Sequence, residues 1–118
     1  MSFPSANKVF VIGKVSAPPQ VRTGQSGKDV MNFRVRTTRK WSDKEFTTTH
    51  RIVVFGNMVD QIRNLGEGSL VGVDGRIDNR KYESNGEDKW ITEIVANDVQ
   101  VFSENQSQGD DYGDQVPF

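Results

Sequence analysis

Five short segments rich in Val, Ile, Phe and Thr recur along the first 102 residues of this 118-residue chain, with turn-forming residues between them. β-Branched and aromatic residues in runs of this length are typical of strands. The sequence therefore predicts an all-β fold, and its length leaves room for one small core. The predicted strands span residues 8–15, 30–41, 47–56, 69–82 and 90–102.

The segment "NMVDQIRNLGEG", between the third and fourth predicted strands, has a different period. Its apolar residues recur at helical spacing, and Gly66 stands where a helix C-cap would. These apolar residues are Met58, Val59, Ile62 and Leu65. They predict one short helix of about two turns. Five strands with a helix after the third is the order of a five-stranded OB-fold barrel, which is the predicted fold.

Two of the predicted strands alternate in a way that assigns their faces, because successive side chains point to opposite sides. In "VMNFRVRTTRKW" the apolar side chains Met31, Phe33 and Val35 share one face. Arg34 and Arg36 lie on the other face. This strand is therefore expected to present one side to the core and a cationic side to solvent.

The stretch "THRIVVFG" places His50 with Ile52 and Val54 on one face of the next strand. Arg51 and Phe55 lie on the opposite face. Phe55 therefore shares its face with a basic side chain and is not clearly part of the core. We interpret His50 as a packed or interface imidazole, not as a proton-transfer group.

The residue types needed for catalysis or metal binding are scarce. The chain has one histidine and no cysteine, and it contains no phosphate-cradling glycine loop and no paired metal-ligand motif. We expect no enzymatic activity, no metal and no other cofactor.

The N-terminus lacks a signal-peptide pattern, and no stretch approaches the roughly 18 apolar residues of a membrane span. The expected location is the cytoplasm, without membrane attachment.

Charge divides the chain into two parts. Residues 1–102 carry 15 basic and 12 acidic side chains, whereas residues 103–118 carry four carboxylates and no basic side chain. Hydrophobic periodicity also ends at Ser103. We therefore expect a folded, mildly basic domain over residues 1–102 and a disordered acidic tail over residues 103–118. A basic body suits nucleic-acid contact, although charge alone fits a plain solvated surface equally well.

Aromatic rings interleaved with cations favour nucleic-acid binding, because a base can stack on a ring while Lys or Arg follows the phosphates. Each ring could instead belong to the core, Trp90 more readily than the others. The candidate rings are Trp41, Phe55, Tyr82 and Trp90. The neighbouring cations are Arg34, Arg36, Lys40, Arg51, Arg76, Arg80 and Lys81.

Several segments, in a fixed order, resemble the bacterial single-stranded DNA-binding protein family. They are "NKVFVIGKV", "PQVR", "QSGKDVMNFRV", "KWSDKEFTTTHRIVVFG", "GSLVGVDGRI", "RKY" and the terminal "VPF". The resemblance runs from Asn7 to Val101 and returns over residues 110–118. It implies an OB-fold homotetramer that coats single-stranded DNA in replication, recombination and repair. It also implies an acidic C-terminal tip that docks partner proteins.

The resemblance implies roles for individual residues. Trp41, Phe55 and Tyr82 match base-stacking positions, and His50 matches a histidine at subunit contacts. Thr49 departs from the family, since some relatives place another stacking tryptophan there. The expected phosphate contacts are Arg51, Arg80 and Lys81 from the resemblance, with Arg34 and Arg36 from the face assignment.

The expected partner-docking tip consists of Asp110, Asp111, Asp114, Val116, Pro117 and Phe118. Phe118 is expected to enter an apolar pocket of a partner, while the carboxylates meet basic groups at its rim. Relatives usually have a long linker before the tip, but here residues 103–110 alone separate it from the barrel. A flexible chain of that length spans roughly 15 Å, so a docked partner is expected close to the barrel.

Three functions remain open from the sequence. The first is a sequence-tolerant coat protein for single-stranded DNA, the second an RNA-binding barrel of the cold-shock kind, and the third a protein-interaction module with the barrel as scaffold. All three share a fold, so the fold cannot decide between them. The helix after the third strand, the charged tail and the order of the motifs favour the first.

Overall fold

The computed structural model describes residues 3–24 and 26–103, which form six strands and one helix. The strands are β1 (Val9–Val15), β2 (Gln20–Thr23), β3 (Asp29–Trp41), β4 (Lys44–Phe55), β5 (Leu70–Ser84) and β6 (Glu87–Ser103). The helix α1 (Asn57–Gln61) follows β4. No helix in this part of the chain is long and apolar enough to cross a membrane. The expected disordered tail lies outside the described residues except for Ser103, which ends β6.

Five of the strands close into a barrel in the order β1-β5-β6-β4-β3, because β1 pairs with β5 and also with β3. Closure depends on Gly13, where a Cβ would collide with the backbone carbonyl of Arg36 across the β1–β3 contact. The helix lies between the third and fourth barrel strands. These features confirm the predicted five-stranded OB-fold barrel.

The strand β2 was not predicted, since its residues fall between the first two predicted strands. It pairs with β3 from Gln20 opposite Asn32 to Thr23 opposite Asp29, at the edge of the sheet. All four of its residues are exposed. A strand that buries neither face carries no hydrophobic alternation, which is why the sequence pattern missed it.

The core fills the barrel interior, and β3 supplies its apolar face as predicted. Met31, Phe33 and Val35 are at most 4% exposed, while Arg34 and Arg36 alternate with them on the solvent side.

The helix is shorter than the two turns predicted. It ends at Gln61, and Gly66 is not its C-cap. Beyond it the backbone continues in three-residue turns, with the N–H of Ile62 bonded to the carbonyl of Val59 and that of Leu65 to the carbonyl of Ile62. A spacing of three still keeps these apolar side chains on one side, so all three are buried.

Arg63, just after the helix, ties this segment to the start of β3. Its guanidinium donates to Asp29 at 2.5 Å and to Asp60 at 2.7 Å. The hydrogen bonds from Arg63 and from the Thr23 hydroxyl lower the pKa of Asp29 below its ordinary value. These contacts link the end of β2 and the start of β3 to the segment after the helix.

Two long hairpins extend past the core. Over residues 37–48, β3 and β4 pair only with each other, and we call this segment the β3–β4 arm. Over residues 77–92, β5 and β6 pair only with each other, and we call this segment the β5–β6 arm. The β5–β6 arm turns at Asn85 and Gly86, whose φ angles of 55° and 80° fit a type I′ turn, as "NG" predicts. The β3–β4 arm turns as tightly at Ser42 and Asp43.

Candidate nucleic-acid interface

An arginine-lined groove of about 380 Å³ runs across the outer side of the barrel. We call it the arginine groove, after Arg22, Arg34, Arg51 and Arg80 in its wall. Arg34 stands directly opposite Arg51 in the β3–β4 register. Like charges in that relation destabilise a sheet, so a bound anion would offset the repulsion.

The groove brings together three of the predicted phosphate-binding cations, Arg34, Arg51 and Arg80. Arg22 was given no role from the sequence. It lies on β2, and because that strand carries no hydrophobic alternation, the sequence pattern held no signal that would have found Arg22.

One carboxylate, Glu93, lies in the groove wall with its side chain 9% exposed. It accepts hydrogen bonds from Nε of Arg80 at 3.2 Å and from Nη2 at 3.1 Å. This contact raises the pKa of Arg80 above its ordinary value. Arg80 is thus engaged by a carboxylate, whereas Arg22, Arg34 and Arg51 are in no ion pair across the described segments.

Lys81 lies on the other face of β5 from Arg80, because consecutive strand residues alternate. It stands opposite Trp90 and forms an ion pair with Asp88 at 3.2 Å. The structure therefore separates the two adjacent cations that the sequence assigned to one phosphate path. Arg36 lies beyond the groove wall, two residues along β3 from Arg34.

The predicted stacking rings are all exposed. Trp41 is 70% exposed, Phe55 53% and Tyr82 40%. Trp90, which the sequence assigned to the core more readily than the other rings, is 68% exposed, and that expectation is wrong. It lies in the β5–β6 arm, past the end of the core.

The three rings do not form one cluster. Phe55 ends β4 beside the barrel, while Trp41 pairs with Lys44 at the far end of the β3–β4 arm. Eleven residues of β4 separate these levels, which is roughly 35 Å of strand. Trp41 also lies on the opposite face of the β3–β4 ribbon from Phe55, whereas Tyr82 shares a face of β5 with Arg80. A ligand that meets all three rings must follow a long path.

Phe46 is a further exposed ring that the sequence analysis did not select. It is 42% exposed on the same face of the β3–β4 arm as Trp41. The guanidinium of Arg39, its register partner, lies 5.3 Å from the ring centroid. The cation–π contact is a sheet-pairing effect, visible only once the register is known.

His50 is half-buried on the inward face of β4, opposite Val35. Its Nε2 lies 3.0 Å from the hydroxyl of Thr37. Its role at a subunit contact stays a prediction. The neighbouring Thr49 is exposed opposite Arg36, so this departure from the family leaves no ring at that point. The predicted docking tip, from Asp110 to Phe118, lies outside the described residues.

Comparison with known proteins gives a consistent result. Residues 6–102 match the family model described as the Single-strand binding protein family. A protein named single-stranded DNA-binding protein from Rickettsia typhi is 37% identical over 100 residues, covering 77% of this chain and 66% of the relative. One of the same name from Staphylococcus aureus is 32% identical over 118 residues, covering 93% of this chain and 76% of the relative. A solved Plasmodium falciparum SSB complex with ssDNA superposes with a TM-score of 0.76 at 34% identity, covering 89% of this chain and all of that one.

Proposed function

Because the chain belongs to the Single-strand binding protein family, we propose that it is a non-enzymatic protein that coats and protects single-stranded DNA with little sequence preference. The observation that carries the proposal is the arginine groove, together with the exposed rings on β4 and on the two arms. Cations attract any phosphate backbone, and rings accept any base, so the combination favours affinity without readout of sequence.

In this proposal the DNA backbone follows the cations while bases stack at separate points, two on the arms and one beside the barrel. Trp41, Phe55 and Tyr82 are the stacking rings. The phosphate contacts are Arg34, Arg36, Arg51, Arg80 and Lys81. Two of these, Arg80 and Lys81, already hold a carboxylate. Arg80 uses two of its five N–H groups on Glu93, which leaves donors for a phosphate.

A homotetramer is the proposed assembly. Phe10, Ile12 and Phe102 are 45–60% exposed on the outer face of β1 and β6. The two rings lie over Gly72, where a Cβ would come within 2.9 Å of the Phe102 ring. A second copy of this chain would cover the part of that face around Phe10 and Phe102 and leave the end of β1 at Lys14 open, and His50 is proposed to lie at a subunit contact.

We also propose that the acidic tip recruits replication, recombination and repair proteins, and that the protein acts in the cytoplasm on the nucleoid. The support is the sequence of the tip, since Asp110, Asp111 and Asp114 offer charge and Phe118 offers a ring.

Binding to labelled single-stranded DNA, duplex DNA and RNA of equal length tests the proposal. We expect the tightest binding to single-stranded DNA, because its bases are free to stack. The affinity should fall as salt rises, with a log–log slope of about −0.7 for each phosphate neutralised. Light scattering on the same samples gives the mass of the free and bound protein, which is expected to be that of four chains.

Equal or tighter binding to duplex DNA would contradict the proposal, and a preference for RNA would favour the cold-shock type of function. A free mass of one chain would contradict the tetramer while leaving the DNA proposal intact.

Deleting Val116–Phe118 is expected to abolish capture of partner proteins while single-stranded DNA binding stays unchanged or tightens slightly. The Phe118 ring is lost, but no cation of the groove is touched. The measurement is a pull-down of replication and repair proteins by DNA-bound protein, with the matched substitution Asp114→Asn as a milder charge control. Partner capture by the truncated protein at the level of the full chain would rule the tip out as the docking element.

A further inference from the structure

We infer that Lys14 extends the phosphate path out of the arginine groove and over β1, so that single-stranded DNA crosses β4, β3 and β1 in turn. The inference rests on the proposed function and adds to it a contact that neither the sequence motifs nor the family roles pointed to. It begins from two like-charge pairs in neighbouring registers.

The first pair is Arg34 opposite Arg51, in the β3–β4 register. The second is Lys14 opposite Arg36, in the β1–β3 register. Arg34 and Arg36 lie two residues apart on β3, so they point to the same side, roughly 7 Å from each other along the strand. Together they form what we call the cationic row, which consists of Lys14, Arg36, Arg34 and Arg51.

The cationic row has no compensating carboxylate bound to it. Its four members are exposed, and across residues 3–24 and 26–103 none of them is in an ion pair. Side chains directly opposite each other have Cβ atoms about 5 Å apart, a distance at which like charges destabilise a sheet. Two such pairs side by side suit a surface that receives an anion with regularly spaced charges.

The row also connects two clefts. Arg34 and Arg51 belong to the arginine groove, while Lys14 and Arg36 line a second cleft of about 530 Å³ beside β1. Glu67 is the one carboxylate in the lining of the second cleft, and it forms no ion pair with Lys14 or Arg36. A strand of nucleic acid leaving the groove over Arg34 therefore meets Arg36 and then Lys14.

Backbone geometry fixes this arrangement. Gly13 allows β1 to approach β3 so closely that any side chain there would collide with the carbonyl of Arg36. The next residue, Lys14, is consequently brought into register with Arg36 itself. The position of Lys14 is thus set by barrel closure instead of by a mobile loop.

The test is the substitution Lys14→Gln, measured by titrating a labelled oligo-dT long enough to saturate the wild type, over a range of salt concentrations. Loss of one phosphate contact should lower the steepness of the log–log salt dependence by about 0.7, which corresponds to an affinity loss of about eightfold at 50 mM salt and almost none at 1 M. Lys14→Arg should bind as the wild type does.

Lys8→Gln is the matched control, because it removes the same charge just before β1, about 20 Å from Lys14 in extended chain, and lines neither the arginine groove nor the second cleft. A second readout needs no DNA. Lys14→Gln should raise the midpoint of thermal unfolding at low salt by relieving repulsion with Arg36, and the gain should vanish at 1 M salt, where the Debye length is about 3 Å.

Unchanged affinity and salt dependence in Lys14→Gln, with the wild type binding single-stranded DNA normally, would overturn this inference alone. An equal loss in Lys8→Gln would also overturn it, since the effect would then be one of net charge. Failure of the wild type to prefer single-stranded DNA would instead overturn the proposed function.

Discussion

Replacing Trp41 and Phe55 together with Ala is expected to weaken single-stranded DNA binding by about 2–6 kcal/mol, because each stacked base contributes about 1–3 kcal/mol. The two losses should add, since the rings lie far apart on β4 and the β3–β4 arm and share no partner. At 1.4 kcal/mol per tenfold change, the dissociation constant rises by roughly 30-fold or more. Titration of labelled oligo-dT and of a mixed-sequence strand measures it, and the ratio of the two affinities should stay constant.

The control for this pair is Phe3→Ala, which removes a ring that is 79% exposed ahead of β1. It should bind as the wild type does. Thermal unfolding of the double variant should be nearly unchanged, because both rings are exposed. Wild-type affinity in the double variant would show that the rings do not stack on bases, and a large drop in the unfolding midpoint would show that they serve the fold.

Arg80→Ala is expected to weaken DNA binding by tenfold to a hundredfold, and adding Glu93→Gln should recover most of that loss. Without Arg80, the nearly buried carboxylate of Glu93 stays in the groove as an uncompensated negative charge. A phosphate 5 Å from it would be repelled by about 3 kcal/mol at an effective dielectric constant of 20, and salt screening reduces that figure. Recovery of the affinity is incomplete, because the double variant still lacks the phosphate contact that Arg80 makes.

The free energy of unfolding should also fall in Arg80→Ala and recover when Glu93→Gln is added. Arg80→Ala is expected to cost only about 1 kcal/mol, since the guanidinium is 55% exposed and its ion pair is partly screened. Urea unfolding of the two single variants and the double variant gives the coupling. Asp98→Asn is the matched control, because it neutralises an exposed carboxylate of β6 that lies outside the arginine groove and is in no ion pair across the described residues. Arg80→Ala with Asp98→Asn should remain as weak as Arg80→Ala. Failure of Glu93→Gln to restore any affinity would mean that Arg80 acts through the phosphate alone.

Local pattern was sufficient for much of the fold. Alternation in β3 assigned Met31 to the core and Arg34 to solvent, and "NG" located the turn of the β5–β6 arm. The strand β2 escaped because exposure on both faces leaves no period. Trp90 was assigned to the core more readily than the other rings because an aromatic residue within a strand resembles a core residue. The sequence of a single strand does not show at which residue that strand leaves the barrel.

The site was less predictable, because its contacts depend on register. Glu93 is thirteen residues from Arg80 in sequence, and the two meet only through the pairing of β5 with β6. Lys14 likewise gains its position from a contact with β3. The neighbours Arg80 and Lys81 point in opposite directions, which the alternation of strand residues alone would have indicated. The family resemblance had instead placed both on one DNA path.

The two arms end in two-residue turns, so they have no slack with which to adjust their length. The distance between a ring on an arm and the groove is therefore fixed by the number of strand residues between them. A one-residue insertion on each strand would turn every ring beyond it to the other face, whereas two residues on each strand would move the rings outward by about 7 Å and keep their facing. Under the proposed function, the length of DNA that one chain can span would therefore change only in steps of two residues on each strand.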